Sequence, residues 1–87
     1  MYLAGQLKNL VYLILSFNIL TGPIPSSLSQ IPNLGYIALD RNKLTGTIPA
    51  SLVNLKGNSL NLILSHNQLS GEIPASFREL DFGKVDL

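Results

Sequence analysis

One phrase returns three times along the chain: Asn18-Ile19-Leu20-Thr21-Gly22-Pro23-Ile24-Pro25, Asn42-Lys43-Leu44-Thr45-Gly46-Thr47-Ile48-Pro49 and Asn67-Gln68-Leu69-Ser70-Gly71-Glu72-Ile73-Pro74. The asparagines lie 24 and then 25 residues apart, and the apolar columns around them keep step. A period of that length marks a solenoid, in which one supersecondary unit stacks on its own copies. Such a chain buries its core between neighbours, so 87 residues suffice for one domain but not for two.

One unit reads Leu34-x-x-Ile37-x-Leu39-x-x-Asn42-x-Leu44-Thr45-Gly46-x-Ile48-Pro49-x-x-Leu52-x-x-Leu55. Its first third alternates apolar and variable positions, the pattern of a short half-buried strand. Strands that each begin the same unit must stack in parallel. Leu13 and Leu15, Ile37 and Leu39, and Leu62 and Leu64 are expected to point inward, and Val85 and Leu87 begin a fourth strand. Leu20, Leu44 and Leu69 with Ile24, Ile48 and Ile73 are expected to fill the next layers of the core.

The asparagine follows the strand, where the chain turns and its backbone groups lack ladder partners. A carboxamide offers two donors and an acceptor, so Asn18, Asn42 and Asn67 are expected to form a structural ladder. Gly22, Gly46 and Gly71 suit a positive φ or a close approach. Pro25, Pro49 and Pro74 fix φ at the exit of a second, short extended segment. Ser27, Ser51 and Ser76 with Leu28, Leu52 and Phe77 predict a short helical or 3₁₀ turn opposite the strands. The register slips once, and the extra residue falls in Lys56-Gly57-Asn58-Ser59-Leu60.

The domain reading is a single unit over 1–87, with a partial repeat at 1–9, repeats at about 10–33, 34–58 and 59–81, and a partial repeat at 82–87. The chain carries 46% hydrophobic and 13% charged residues with a net charge of +1, which excludes a disordered charged tail. It has no basic stripe for nucleic acid and no polybasic lipid anchor. Without cysteine there is no disulfide and no thiolate chemistry. The run Leu10-Val11-Tyr12-Leu13-Ile14-Leu15 is too short to span a membrane, for which about 20 apolar residues are needed. Its place on the repeat register identifies it as a strand rather than the core of a signal peptide.

The pattern Leu-x-x-Leu-x-Leu-x-x-Asn followed by Leu-[Thr/Ser]-Gly-x-Ile-Pro resembles the plant-specific leucine-rich repeat. That resemblance implies an α/β solenoid: a right-handed superhelix of about three and a half repeats with a short parallel sheet on its concave face, here without caps. Four stretches resemble one family within the class, the polygalacturonase-inhibiting proteins. They are Leu39-Asp40-Arg41-Asn42-Lys43-Leu44-Thr45-Gly46, Leu64-Ser65-His66-Asn67-Gln68-Leu69-Ser70-Gly71, Ser76-Phe77 and the ending Leu80-Asp81-Phe82-Gly83-Lys84-Val85-Asp86-Leu87.

The family resemblance implies a secreted plant cell-wall defence protein that binds fungal endo-polygalacturonase, contacts pectin and blocks its cleavage. It also implies about ten repeats, cysteine-paired caps and N-glycosylation. This chain has no cysteine and no Asn-x-Ser/Thr sequon, shows no visible signal peptide, and looks like a central slice or a truncated relative.

On parallel strands the variable positions form columns about 4.8 Å apart. The first is Tyr12, Tyr36, Asn61 and Lys84; the second Ile14, Ala38, Ile63 and Asp86; the third Ser16, Asp40 and Ser65; the fourth Phe17, Arg41 and His66. Tyrosine and arginine are favoured interface anchors, and an exposed Ile14/Ala38/Ile63 stripe with polar flanks suits docking. The expected partner-binding residues are Tyr12, Ile14, Phe17, Tyr36, Asp40, Arg41, Ile63, Ser65 and His66. Ser65, His66 and Asp40 share this face, but no strained nucleophile elbow is present and an open sheet excludes no water. No catalytic residue, metal site or cofactor is expected, and His66 has no companion ligand.

Two rival functions use the same architecture. One is a piece of a receptor-like kinase ectodomain that recognises a peptide or hormone. The other is an ice-associating solenoid in which columns such as Thr21/Thr45/Ser70 order water. Missing caps also predict apolar ends, with Leu7 and Leu10 at one side and Val85 and Leu87 at the other, and therefore self-association.

Overall fold

A computed structural model of the chain describes residues 7–58, 60–71 and 84–86. The described chain winds through short strands and 3₁₀ segments: β1 (Tyr12–Ile14), β2 (Thr21–Pro23), a 3₁₀ segment at Ser26–Gln30, β3 (Tyr36–Ala38), β4 (Lys43–Gly46), a second 3₁₀ segment at Ala50–Asn58, β5 (Asn61–Ile63), β6 (Gln68–Leu69) and β7 (Lys84–Asp86). The 3₁₀ segments stand where Ser27-Leu28 and Ser51-Leu52 put them. Two parallel sheets result, one in the order β1-β3-β5-β7 and the other β2-β4-β6.

The first sheet keeps the register of the repeat. Tyr12 pairs with Tyr36 and then Asn61, which pairs with Lys84, while Leu13, Ile37, Leu62 and Val85 form the next row. The second sheet does not. Thr21 lies opposite Lys43, Pro23 opposite Thr45, and Thr45 opposite Gln68. Each coil therefore slips by two residues there, and Thr21, Thr45 and Ser70 do not form the straight column their repeat positions suggest. The slip is even, so Thr21 and Thr45 keep the same exposed side of the sheet.

The core runs down the middle of the stack. Ile37, Leu39, Leu62 and Leu64 come from the strands, Leu44, Ile24 and Ile48 from the second sheet and its exits, and Leu28, Leu52 and Leu55 from the 3₁₀ segments. Burying one such side chain stabilises the fold by about 1.5–3 kcal/mol. Leu15 and Leu20, expected inside, are instead 37% and 38% exposed. They belong to the outermost described coil, so only their inner side has a neighbour. Leu7 and Leu10, expected to be bare, are partly buried and pack on the core. Expectations for Ser76, Phe77, Ile73, Pro74 and Leu87, and for the side chain of Val85, fall outside the described residues.

Asn42 is the one buried polar side chain among the described residues, and its bonds show why it is tolerated. Its Nδ2 donates to Leu15 O of the preceding coil at 3.0 Å and to Leu39 O and Asp40 O of its own. Its Oδ1 accepts from Leu20 N–H at 3.1 Å. Asn67 repeats the arrangement one coil on, donating to Leu39 O at 2.9 Å and accepting from Leu44 N–H at 3.0 Å. Asn18 donates to Leu15 O and Ser16 O of its own coil. The ladder thus ties each turn to the previous one. Gly22, Gly46 and Gly71 follow with φ of 81°, 80° and 76°, the left-handed region that favours glycine.

Candidate functional site

The outward side chains of β1, β3 and β5 make one continuous face, and the turns after these strands extend it. Alternation sends Leu13, Ile37 and Leu62 inward, which leaves Tyr12, Ile14, Tyr36, Ala38, Asn61 and Ile63 on the other side. In the first column the Tyr12 and Tyr36 rings lie 5.7 Å apart, tilted by 49°. This is within the range of favourable aromatic pairs. Tyr12 is exposed and Tyr36 half-buried.

The second column departs from expectation. Ile14 is exposed and Ile63 half-buried, but Ala38 is 4% exposed. Its short methyl lies in register between Ile14 and Ile63 and is covered, so the expected exposed stripe is interrupted at its centre.

In the third column Ser16 Oγ donates to Asp40 Oδ1, linking adjacent coils, and Ser65 continues the row half-buried. The fourth column carries the exposed side chains Phe17, Arg41 and His66. The Arg41 guanidinium stands 5.0 Å from the centroid of the Phe17 ring, a cation–π contact.

All three residues of this last column have positive φ, at 58°, 57° and 59°. Nothing in Phe, Arg or His signals that conformation, and the sequence reading did not anticipate it. Its cause lies next door. Each following asparagine folds its Nδ2 back onto the carbonyls two and three residues earlier, which wraps the intervening residue into a tight left-handed turn. The ladder therefore also aims the Phe17, Arg41 and His66 side chains.

Sequence reasoning also missed two exposed apolar side chains near this face, Val11 (43%) and Ile19 (78%). Ile19 could have been found, because the equivalent positions hold Lys43 and Gln68. Among the described residues no group of three or more His, Cys, Asp or Glu could hold a metal ion. None of their helices is long and apolar enough to cross a membrane.

Aromatic, arginine and isoleucine side chains held in preset positions on a parallel sheet can grip another macromolecule at small entropic cost. The comparisons with known proteins agree with the architecture. No curated protein matches the chain. Among solved structures, a plant ice-binding protein is 49% identical with a TM-score of 0.81, over 88% of this chain and 24% of that one. The BIR3–SERK2 complex from Arabidopsis thaliana is matched at 42% identity and a TM-score of 0.81, over 93% of this chain and 44% of that one. The Arabidopsis receptor kinase HAESA, in complex with the peptide hormone IDA and the co-receptor SERK1, is matched at 37% identity and 0.82, over 92% and 14%. The chain thus spans between 14% and 44% of the lengths of these structures. The Leucine Rich Repeat family model matches residues 9–31, 33–55 and 58–80. With its parallel stacked strands, its asparagine ladder and three matched repeats, the chain belongs to the leucine-rich repeat family.

Proposed function

We propose that this chain is a non-enzymatic recognition module that holds a protein partner against the face of β1, β3 and β5. One observation carries the reading. The Tyr12–Tyr36 pair and the Phe17–Arg41 pair stand on either side of the row Ile14, Ala38 and Ile63. Rigid aromatic and arginine anchors beside an apolar row are what protein interfaces use for their strongest contacts. The solved complexes of HAESA with a peptide hormone and of BIR3 with SERK2 support a protein or peptide as the occupant.

The finer reading follows the resemblance to polygalacturonase-inhibiting proteins. The module acts outside the plant cell, in the wall, and its curved sheet docks on a fungal endo-polygalacturonase and covers the substrate cleft. Inhibition is then steric, with no chemistry from Ser65, His66 or Asp40. Calorimetric titration against a fungal endo-polygalacturonase tests it, with a Tyr36→Ala/Arg41→Ala double variant alongside. The expected result is binding that the double change weakens at least roughly tenfold with an unchanged circular dichroism spectrum. Binding of peptide hormones but not of the hydrolase would favour a receptor-type module, and equal affinities of the two proteins would overturn the face.

A second reading rests on the 49% identity to a plant ice-binding protein. The exposed side of the second sheet, with Thr21, Pro23, Lys43 and Thr45, would be the surface involved. The two-residue slip staggers the threonines, and Lys43 interrupts them, so this surface is less regular than the repeat implies. Growth of ice grains in frozen solution, unchanged by the protein, would remove this reading.

A further inference from the structure

We propose that Arg41 is the specificity point of the strand face, where it takes the carboxylate of an aspartate or glutamate side chain of the protein partner between Phe17 and His66. This rests on the reading of that face as a partner-binding surface and names the chemical group it selects. Arg41 belongs to the turn after β3, and the coils on both sides of it are described. Phe17 N–H donates to Asp40 O at 3.1 Å and Arg41 N–H to Ser65 O at 3.0 Å. These bonds keep Phe17, Arg41 and His66 in step beyond the ends of their strands.

The charge of Arg41 is not spent within the fold. Its guanidinium stands 5.0 Å from the centroid of the Phe17 ring, and it makes no ion pair or side-chain hydrogen bond with another described residue. The acid beside it in sequence, Asp40, instead accepts from Ser16 Oγ of the preceding coil. A ring contact orients a guanidinium while leaving N–H donors for a carboxylate, which the planar fork matches bidentately.

The backbone points the same way. Phe17, Arg41 and His66 hold φ of 58°, 57° and 59°, a region that a β-carbon strains. At their other left-handed position the same coils carry Gly22, Gly46 and Gly71. All three side chains of the column are exposed, so none offsets the strain by filling the core. Strain of this kind gathers where ligands are gripped, and persists where the surroundings over-determine the turn. Here the asparagine ladder does so, which frees the column to carry side chains chosen for contact.

The ligand follows from the charge. One guanidinium beside one imidazole suits a group of single negative charge. A phosphate dianion takes more cations, and Asp40 would repel it at close range. Phe17 offers an apolar surface to the methylene next to the carboxylate, and His66 offers a ring N–H.

Random dodecapeptides displayed on phage, selected against the full chain and then titrated as synthetic peptides, test the proposal. The selected sequences are expected to share an aspartate or glutamate. Changing that acid to its amide should weaken binding to the unaltered chain by roughly tenfold or more, and leave binding to Arg41→Gln unchanged. Arg41→Lys should recover only part of the affinity, because an ammonium lacks the planar fork. Peptides that Tyr36→Ala weakens and Arg41→Gln does not would overturn the carboxylate site and leave the face standing. Peptides indifferent to both changes, or the selection of no peptide at all, would overturn both. An oligogalacturonide that needs Arg41, where acidic peptides do not, would assign the charge to a sugar acid and overturn the proposal.

Discussion

Leu20 N–H and Asn42 Oδ1, separated by 22 residues of sequence, meet at 3.1 Å and join one coil to the next. The same carboxamide holds Leu15 O, Leu39 O and Asp40 O through its nitrogen. Asn42→Ala therefore strands several backbone groups at once in a site that is 8% exposed. Each stranded group costs about 1–3 kcal/mol, softened where water can enter, so a loss of about 3 kcal/mol is expected. Asn18→Ala, in an exposed position, should cost less than about 1 kcal/mol. Urea unfolding of both variants with unchanged slopes checks the ordering.

The ladder also governs a backbone feature that can be tested separately from binding. Arg41 has φ of 57°, which a β-carbon resists by about 1–2 kcal/mol. Arg41→Ala loses the Phe17 contact and keeps that strain. Arg41→Gly loses the same contact and relieves it. The glycine variant is expected to be the more stable by about 1 kcal/mol, an ordering opposite to that at ordinary φ. Thermal melts of the two variants, which differ by a single methyl group, provide the measurement.

Much of this architecture was legible in the residues, and the failures have physical causes. The parallel strand rows, the 3₁₀ turns and the bonds of Asn42 and Asn67 follow from columns that agree in every copy, so each constraint is stated three times. Ala38 was misplaced because periodicity records which side a residue faces, not how far it is covered there. Leu15 and Leu20 were misplaced because a column treats the outermost coil as if it were an inner one. The slip of the second sheet is invisible to repeat alignment altogether. Pairing there is set by how successive coils lean on each other, with Lys43 N–H reaching Leu20 O and Ser70 N–H reaching Gly46 O. At the strand face, residue types named the anchors, but only geometry revealed that Arg41 lies over Phe17 and that Ser16 holds Asp40.

Glycine at equivalent positions should not be equally replaceable. Gly22 and Gly71 share the left-handed conformation, at 81° and 76°. A β-carbon at Gly22 would meet nothing within 4 Å, whereas one at Gly71 would lie 2.9 Å from Thr47 Cγ2. Gly22→Ala is expected to cost about 1–2 kcal/mol from backbone strain alone. Gly71→Ala adds a collision with a stiff β-branched side chain and should cost more, by about 1 kcal/mol. Chemical denaturation of the pair reads the difference, and equal losses would mean that Thr47 turns aside freely.

Ala38 tests recognition at the centre of the strand face. Its methyl lies between Ile14 and Ile63 on the outward side of the sheet, so a longer side chain there grows away from the core. Ala38→Lys can lay its aliphatic stem along the two isoleucines and keep its ammonium in water, as lysines do on apolar surfaces. Stability should fall by about 1–3 kcal/mol, because Ala38 is covered and the longer chain must push its neighbours aside. Binding should suffer more, because the added charge is left without a partner beneath a docked protein. Affinity is expected to fall by at least roughly tenfold, the scale of a lost central contact. The decisive comparison is a titration of a bound partner with the lysine variant beside a matched melting curve. Full affinity in a normally folded Ala38→Lys chain would move the interface off this face and toward the second sheet.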